Sequence, residues 1–285
     1  MKIFSKTILA VILISVSSIS ASSKYNAKTI TSVDSTKIYF EYAGEGELAI
    51  VFIHGWSCDV SFWEKQMEYF RKNHKVVAID LAGHGYSGLQ RKDYTMQAYG
   101  QDVKAVVEDQ NLDKIVLVGH SMGGAVITEA ASLLGERVIG LVGADTFRNF
   151  TRIRTPEEID SFLSPFKENF DEKCNQFVKT IFGLNSDTLL VNKITMNMCD
   201  ANVDVAISSM ENLLNYEFTN MLKQLNKPIV AINSLKFPTT VEANKEIYKL
   251  FNVKFMKGVG HFVMNEDPDT FNKLLKETIN ELKNQ

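Results

Sequence analysis

Gly119-His120-Ser121-Met122-Gly123 sets a serine between two glycines at the Gly-x-Ser-x-Gly spacing that suits a serine nucleophile. A serine hydroxyl attacks only when a base takes its proton, and near neutral pH that base is usually histidine. The chain has 5 histidines. In the chain order that accompanies this motif the histidine follows the serine, and only His261 does so, within Gly258-Val259-Gly260-His261-Phe262. Attack on a carbonyl leaves a negative oxygen that needs two donors held ready for it. The NH of Met122, next after Ser121, supplies one, and the NH of Trp56, after His54-Gly55, is the choice for the other. Together these groups are equipped for nucleophilic acyl transfer.

Such groups work only if the backbone aims them. Residues 115–118 are apolar and mostly β-branched, which predicts a buried strand, and the helix-like run 125–134 follows the serine at once. Strand, glycine-flanked serine and helix in succession describe a nucleophile elbow: small neighbours permit a strained serine backbone, and the helix start aims free NH groups at developing charge. His261 follows a predicted strand and precedes the last helix, at the sheet edge where catalytic groups gather in open α/β folds. His54 and His84, in Gly-containing loops, read as braces for backbone turns. His120 points away from Ser121 if the strand alternation continues, and His74 reads as solvated. No metal-binding spacing is present.

The surrounding chain predicts the scaffold. Residues 27–33 and 37–42 form a hairpin, 48–53 and 75–79 are strands covered on both faces, and 138–142 is another, ending at Asp145. Helices are predicted from Ser61 and over 95–110. The rhythm breaks over 146–225, a stretch of mixed charge and scattered Phe and Met, read as a helical lid that starts at Thr155-Pro156-Glu157-Glu158. Alternation resumes with strands at 228–232 and 253–256 and helices at 241–250 and 268–282. Strands alternating with helices imply a mostly parallel sheet.

Composition excludes some classes. With 45% hydrophobic and 23% charged residues the 285-residue chain has material for a large core. The net charge of −3, without a Lys/Arg block, argues against nucleic acid. Residues 1–22 read as a secretory signal: Lys2 and Lys6, an apolar run too short for the about 20 residues a bilayer needs, then small residues. Export is therefore expected, without stable membrane insertion after cleavage and without a lipid-anchor cysteine. In an oxidising compartment Cys174 and Cys199 can pair and leave Cys58 over; the other reading is three free thiols.

His54-Gly55-Trp56, Asp80-Leu81-Ala82-Gly83-His84-Gly85-Tyr86-Ser87, Gly119-His120-Ser121-Met122-Gly123-Gly124 and Gly260-His261 together resemble the α/β-hydrolase superfamily, in particular its lidded esterase-like members. The resemblance spans nearly the whole chain after the leader. It implies a sheet flanked by helices, a lid after the sixth strand over 146–225, core segments 23–145 and 226–285, a Ser–His–acid triad, no cofactor and a small ester-like substrate. It also marks a departure. The acid commonly follows the strand after the lid, yet residues 233–240 contain no carboxylate. Some members place it after the preceding strand, where Asp145 stands. Glu242 is an alternative, and a site lacking a proper acid, with Asn233 orienting the ring, is another. Asp80 reads as structural. The favoured function is carboxylic ester hydrolysis; amide, lactone, carbon–carbon and peroxide chemistry use the same triad. A ligand-binding protein with impaired turnover is the reading from a different class. The apolar lid suggests a hydrophobic acyl group.

Overall fold

The computed structural model describes residues 24–284, so the leader assigned to 1–22 lies outside the described residues. The apolar runs become strands: β1 Asn26–Thr31, β2 Lys37–Ala43, β3 Ala49–Ile53, β4 Lys75–Ile79, β5 Ile115–His120, β6 Val138–Ala144, β7 Ile229–Ser234 and β8 Phe251–Met256. They form one sheet in the order β1-β2-β4-β3-β5-β6-β7-β8. The β1–β2 and β2–β4 pairs are antiparallel, and all later pairs are parallel. The predicted hairpin therefore lies at a sheet edge.

Every residue of β3 and β5 is buried, as continuous apolar sequence requires when helices cover both faces. Each such Val, Ile or Phe side chain contributes roughly 1.5–3 kcal/mol on burial, which makes the centre of the sheet the stiffest place to mount a site. The flanking helices are α1 Glu64–Phe70, α2 Met96–Asp109 and α3 Met122–Leu134. Ser61 does not open the first of them. Asp59 caps a 3-10 turn over Val60–Trp63 by accepting from the Ser61 NH, and α1 follows only after it.

Between β6 and β7 stand five helices: α4 Pro156–Glu168, α5 Phe170–Thr180, α6 Thr188–Cys199, α7 Val203–Leu214 and α8 Phe218–Leu222. Thr155 and Glu158 cap α4 reciprocally, with Pro156 in its first turn. Cys174 of α5 and Cys199 of α6 are joined by a disulfide, and Cys58 is free and buried. The chain returns through α9 Val241–Ile247, α10 Val263–Glu266 and α11 Pro268–Lys283. Phe271, Leu275 and Ile279 of α11 are buried, as the predicted apolar face requires. Among the described residues no helix is long and apolar enough to cross a membrane.

Candidate active site

Ser121 stands between β5 and α3 with φ 52° and ψ −115°, in the left-handed region that an L-residue avoids. The glycines around it are needed because the chain is crowded there. A Cβ on Gly119 would lie 2.3 Å from the Gly123 carbonyl oxygen, and one on Gly123 would lie 2.6 Å from that of Ile53. The serine is held in this bend by its own NH, which donates to the Ala144 carbonyl at 3.1 Å.

His261 is held from all sides. Its NH donates to the Ile181 carbonyl at 2.7 Å. Glu266 accepts the NH groups on either side of it, Gly260 at 2.9 Å and Phe262 at 3.1 Å. The same carboxylate takes the Gly183 NH at 2.8 Å and the Ser186 hydroxyl at 2.5 Å, tying the histidine loop to the segment between α5 and α6. His120 is not a bystander. Its Nε2 lies 3.0 Å from the His261 carbonyl oxygen, and the two rings are 4.7 Å apart. Burial, then the neighbouring His261, push the His120 ring down to about 3, so it braces the loop as a neutral imidazole.

His261 Nδ1 lies 2.7 Å from Asp145 Oδ2. Asp145 is buried, with φ 52°, and its Oδ1 accepts the Ser234 NH at 2.7 Å as well as an Arg148 guanidinium NH. Burial alone would raise this carboxyl, but His261 and then Arg148 outweigh it and hold it below the ordinary carboxylate value. An ionised Asp145 assigns the proton to Nδ1 and leaves Nε2 with a free lone pair, as a base requires.

The sheet explains how a carboxylate one strand early reaches this ring. β6 and β7 are parallel neighbours with Ala144 opposite Ile232, and the Asp145 NH donates to the Ile232 carbonyl at 3.0 Å. The ends of the two strands therefore lie side by side. Arg148 fills the acid-free loop after β7, donating to the Phe237 carbonyl at 2.5 Å and standing over the Phe237 ring at 5.3 Å. Glu242 heads α9 and makes no hydrogen bond to His261 among the described residues. Asn233 is engaged elsewhere, accepting from the Thr146 NH at 3.1 Å and donating to Thr239 at 3.0 Å.

Ser121, Asp145 and His261 line one cavity of about 270 Å³ together with Phe147, Tyr216 and Phe218. Among the described residues the Ser121 hydroxyl is not hydrogen-bonded to His261. A larger recess of about 490 Å³ near Lys24 and Tyr86 contains none of the three. Met122 is the first residue of α3, so its NH belongs to the unpaired turn of that helix. Trp56 follows β3 by three residues; its indole donates to the Ala206 carbonyl of α7 at 2.7 Å and packs edge-on against Phe166, Phe170 and Phe177.

The other polar residues of the motif loops are structural, as expected. His54 accepts the Leu81 NH at 3.0 Å, and burial takes its ring down to about 4. Asp80 accepts the NH groups of Val60 and Tyr86 at 2.7 and 2.8 Å. Arg148 and Glu266 escaped the sequence reading. Arg148 had a faint signal, a cation three residues after the candidate acid; Glu266 had none, since its partners are backbone NH groups.

Residues 49–193, more than half of the chain, match the alpha/beta hydrolase fold family. The chain belongs to the α/β-hydrolase family. Karrikin insensitive 2 receptor CA of Petunia hybrida is 22% identical over 241 residues, covering 79% of this chain and 89% of its own length. Non-heme chloroperoxidase of Streptomyces lividans is 23% identical over 273 residues, covering 86% and 96%. An esterase from Exiguobacterium antarcticum superposes with a TM-score of 0.80 at 22% identity, covering 90% of this α/β hydrolase and 98% of that chain.

Proposed function

We propose that the chain is an exported serine hydrolase that cleaves carboxylic esters through an acyl-enzyme. Ser121 Oγ attacks the carbonyl carbon as His261 Nε2 takes its proton, and the NH groups of Met122 and Trp56 hold the oxyanion. His261 then hands that proton to the departing alkoxide. Water, deprotonated by the same ring, releases the carboxylic acid and restores Ser121. Asp145 fixes the ring tautomer and stabilises the imidazolium. The observation that carries this reading is the 2.7 Å contact of Asp145 with His261 in the cavity onto which Ser121 opens. Catalytic hydrogen bonds often tighten only around substrate, which accounts for the open Ser121–His261 contact.

The helices α4–α8 act as the lid, a role supported by Leu213, Tyr216 and Phe218 in the cavity wall. Export is supported by the leader pattern and by the Cys174–Cys199 disulfide, a bond that persists in oxidising compartments. Stopped-flow assay of 4-nitrophenyl esters of graded chain length tests the reaction. The expected trace is a burst followed by steady turnover, both abolished in Ser121→Ala; turnover that survives in Ser121→Ala contradicts it. The similarity to a Petunia receptor favours a second reading, a ligand-binding protein. Acylation of Ser121 without steady turnover distinguishes that case.

A further inference from the structure

The cavity that holds Ser121 has a cationic wall. Arg148, Arg152 and Arg154 line it, and the carboxylate facing them there, Asp145, is already engaged by Arg148 and His261. Arg152 and Arg154 make no ion pair among the described residues; Arg154 donates only a long 3.5 Å hydrogen bond to the Leu214 carbonyl. Glu158, the acid that acts on Arg154, is committed to the α4 cap, where it accepts the Thr155 NH at 3.0 Å. Burial, then the adjacent Arg152, pull the Arg154 guanidinium below its ordinary value, so the pair is held at a cost that an arriving anion would relieve. Phe147, Leu213, Leu214 and Phe218 add apolar surface to the same wall.

We propose that this cavity selects short esters bearing a carboxylate away from the scissile bond, with Arg154 and Arg152 holding that carboxylate. The proposal rests on the ester hydrolase reading for its reaction, and it narrows the hydrophobic acyl group expected from the sequence to an apolar chain with an anionic end. The cavity of about 270 Å³ lies just below the usual range for ligand pockets, which limits the chain to a few carbons. An arginine fork matches a carboxylate in two parallel hydrogen bonds, a geometry lysine does not offer.

The experiment separates the anion site from the reaction. Wild-type turnover is measured on 4-nitrophenyl hydrogen adipate and on neutral 4-nitrophenyl hexanoate. In parallel, binding of monomethyl adipate and methyl hexanoate to the Ser121→Ala protein is measured by calorimetry. The expected preference for the anionic partner is about tenfold in kcat/KM and in Kd, as one partly screened charge-assisted contact gives. It shrinks at high salt and falls to about one in Arg152→Gln/Arg154→Gln. Arg152→Gln alone, at an exposed position, gives a smaller loss should the double variant fold poorly. Equal binding of the two ligands, or a preference unchanged in both variants, overturns the proposal even if wild type hydrolyses the neutral ester. Anion-preferring binding without turnover of either ester upholds the site and refutes the hydrolase reading instead.

Discussion

Asp145 matters because its carboxylate faces the ring of His261 while Arg148 and the Ser234 NH hold it from behind. Asp145→Asn keeps the shape but lets the ring adopt the wrong tautomer, so kcat on a 4-nitrophenyl ester is expected to fall by about 10⁴. Glu242→Gln leaves it within about twofold; a reversed ranking places the acid at Glu242. A second carboxylate has the opposite electrostatics. Burial raises Asp80 to about 7 although two backbone NH groups favour its charged form. The folded chain thus keeps a proton that the unfolded chain releases, so this group adds stability as pH falls from above 7 towards about 4 and removes it on the way back up. Melting temperatures between pH 5 and 8 are expected to show this slope in wild type and a flatter profile in Asp80→Asn. An identical slope in both proteins assigns the pH dependence elsewhere.

Among the elements, the proposed nucleophile and the proposed base arrive by different routes. Ser121 is fixed by one local bend, whereas the His261 loop is fixed by Glu266, which gathers NH groups from both sides of the histidine and from Gly183. Glu266→Gln replaces one carboxylate oxygen with an amide donor, so at least one of those NH groups loses its acceptor, a loss of about 1–3 kcal/mol that lowers Tm by several degrees. Because the loop positions His261, kcat is expected to fall while KM changes little; a raised KM with unchanged kcat means that Glu266 serves substrate binding instead. This contrast explains what was legible in the sequence. The elbow, the order of serine and histidine, and the covered strands leave local patterns, so β5, α3 and the hairpin were readable. The start of α1 is not legible because Asp59 caps a 3-10 turn over Val60–Trp63, and α1 begins only after that turn without a side-chain cap of its own. The acid stayed open because its choice depends on β6 and β7 being neighbours, a fact of topology with no local trace.

Across the whole molecule, the parallel part of the sheet carries the site, and the helices between β6 and β7 reach it through the Trp56 indole and through Leu213, Tyr216 and Phe218 in the cavity wall. The Cys174–Cys199 bond closes a loop with a sequence separation of 25 inside that insert. A loop of this size is worth about 3 kcal/mol, so Cys174→Ala/Cys199→Ala is expected to lower Tm by about 6–12 °C. An unchanged Tm means the insert is held by packing alone. The proposed chemistry turns on one serine being a nucleophile armed by one histidine. Its most direct test is the intact mass of the protein after exposure to a fluorophosphonate, for wild type, Ser121→Ala and His261→Ala. A single adduct is expected in wild type, none in Ser121→Ala, and labelling slowed by orders of magnitude in His261→Ala. An unlabelled wild type, or an adduct that persists in Ser121→Ala, contradicts it.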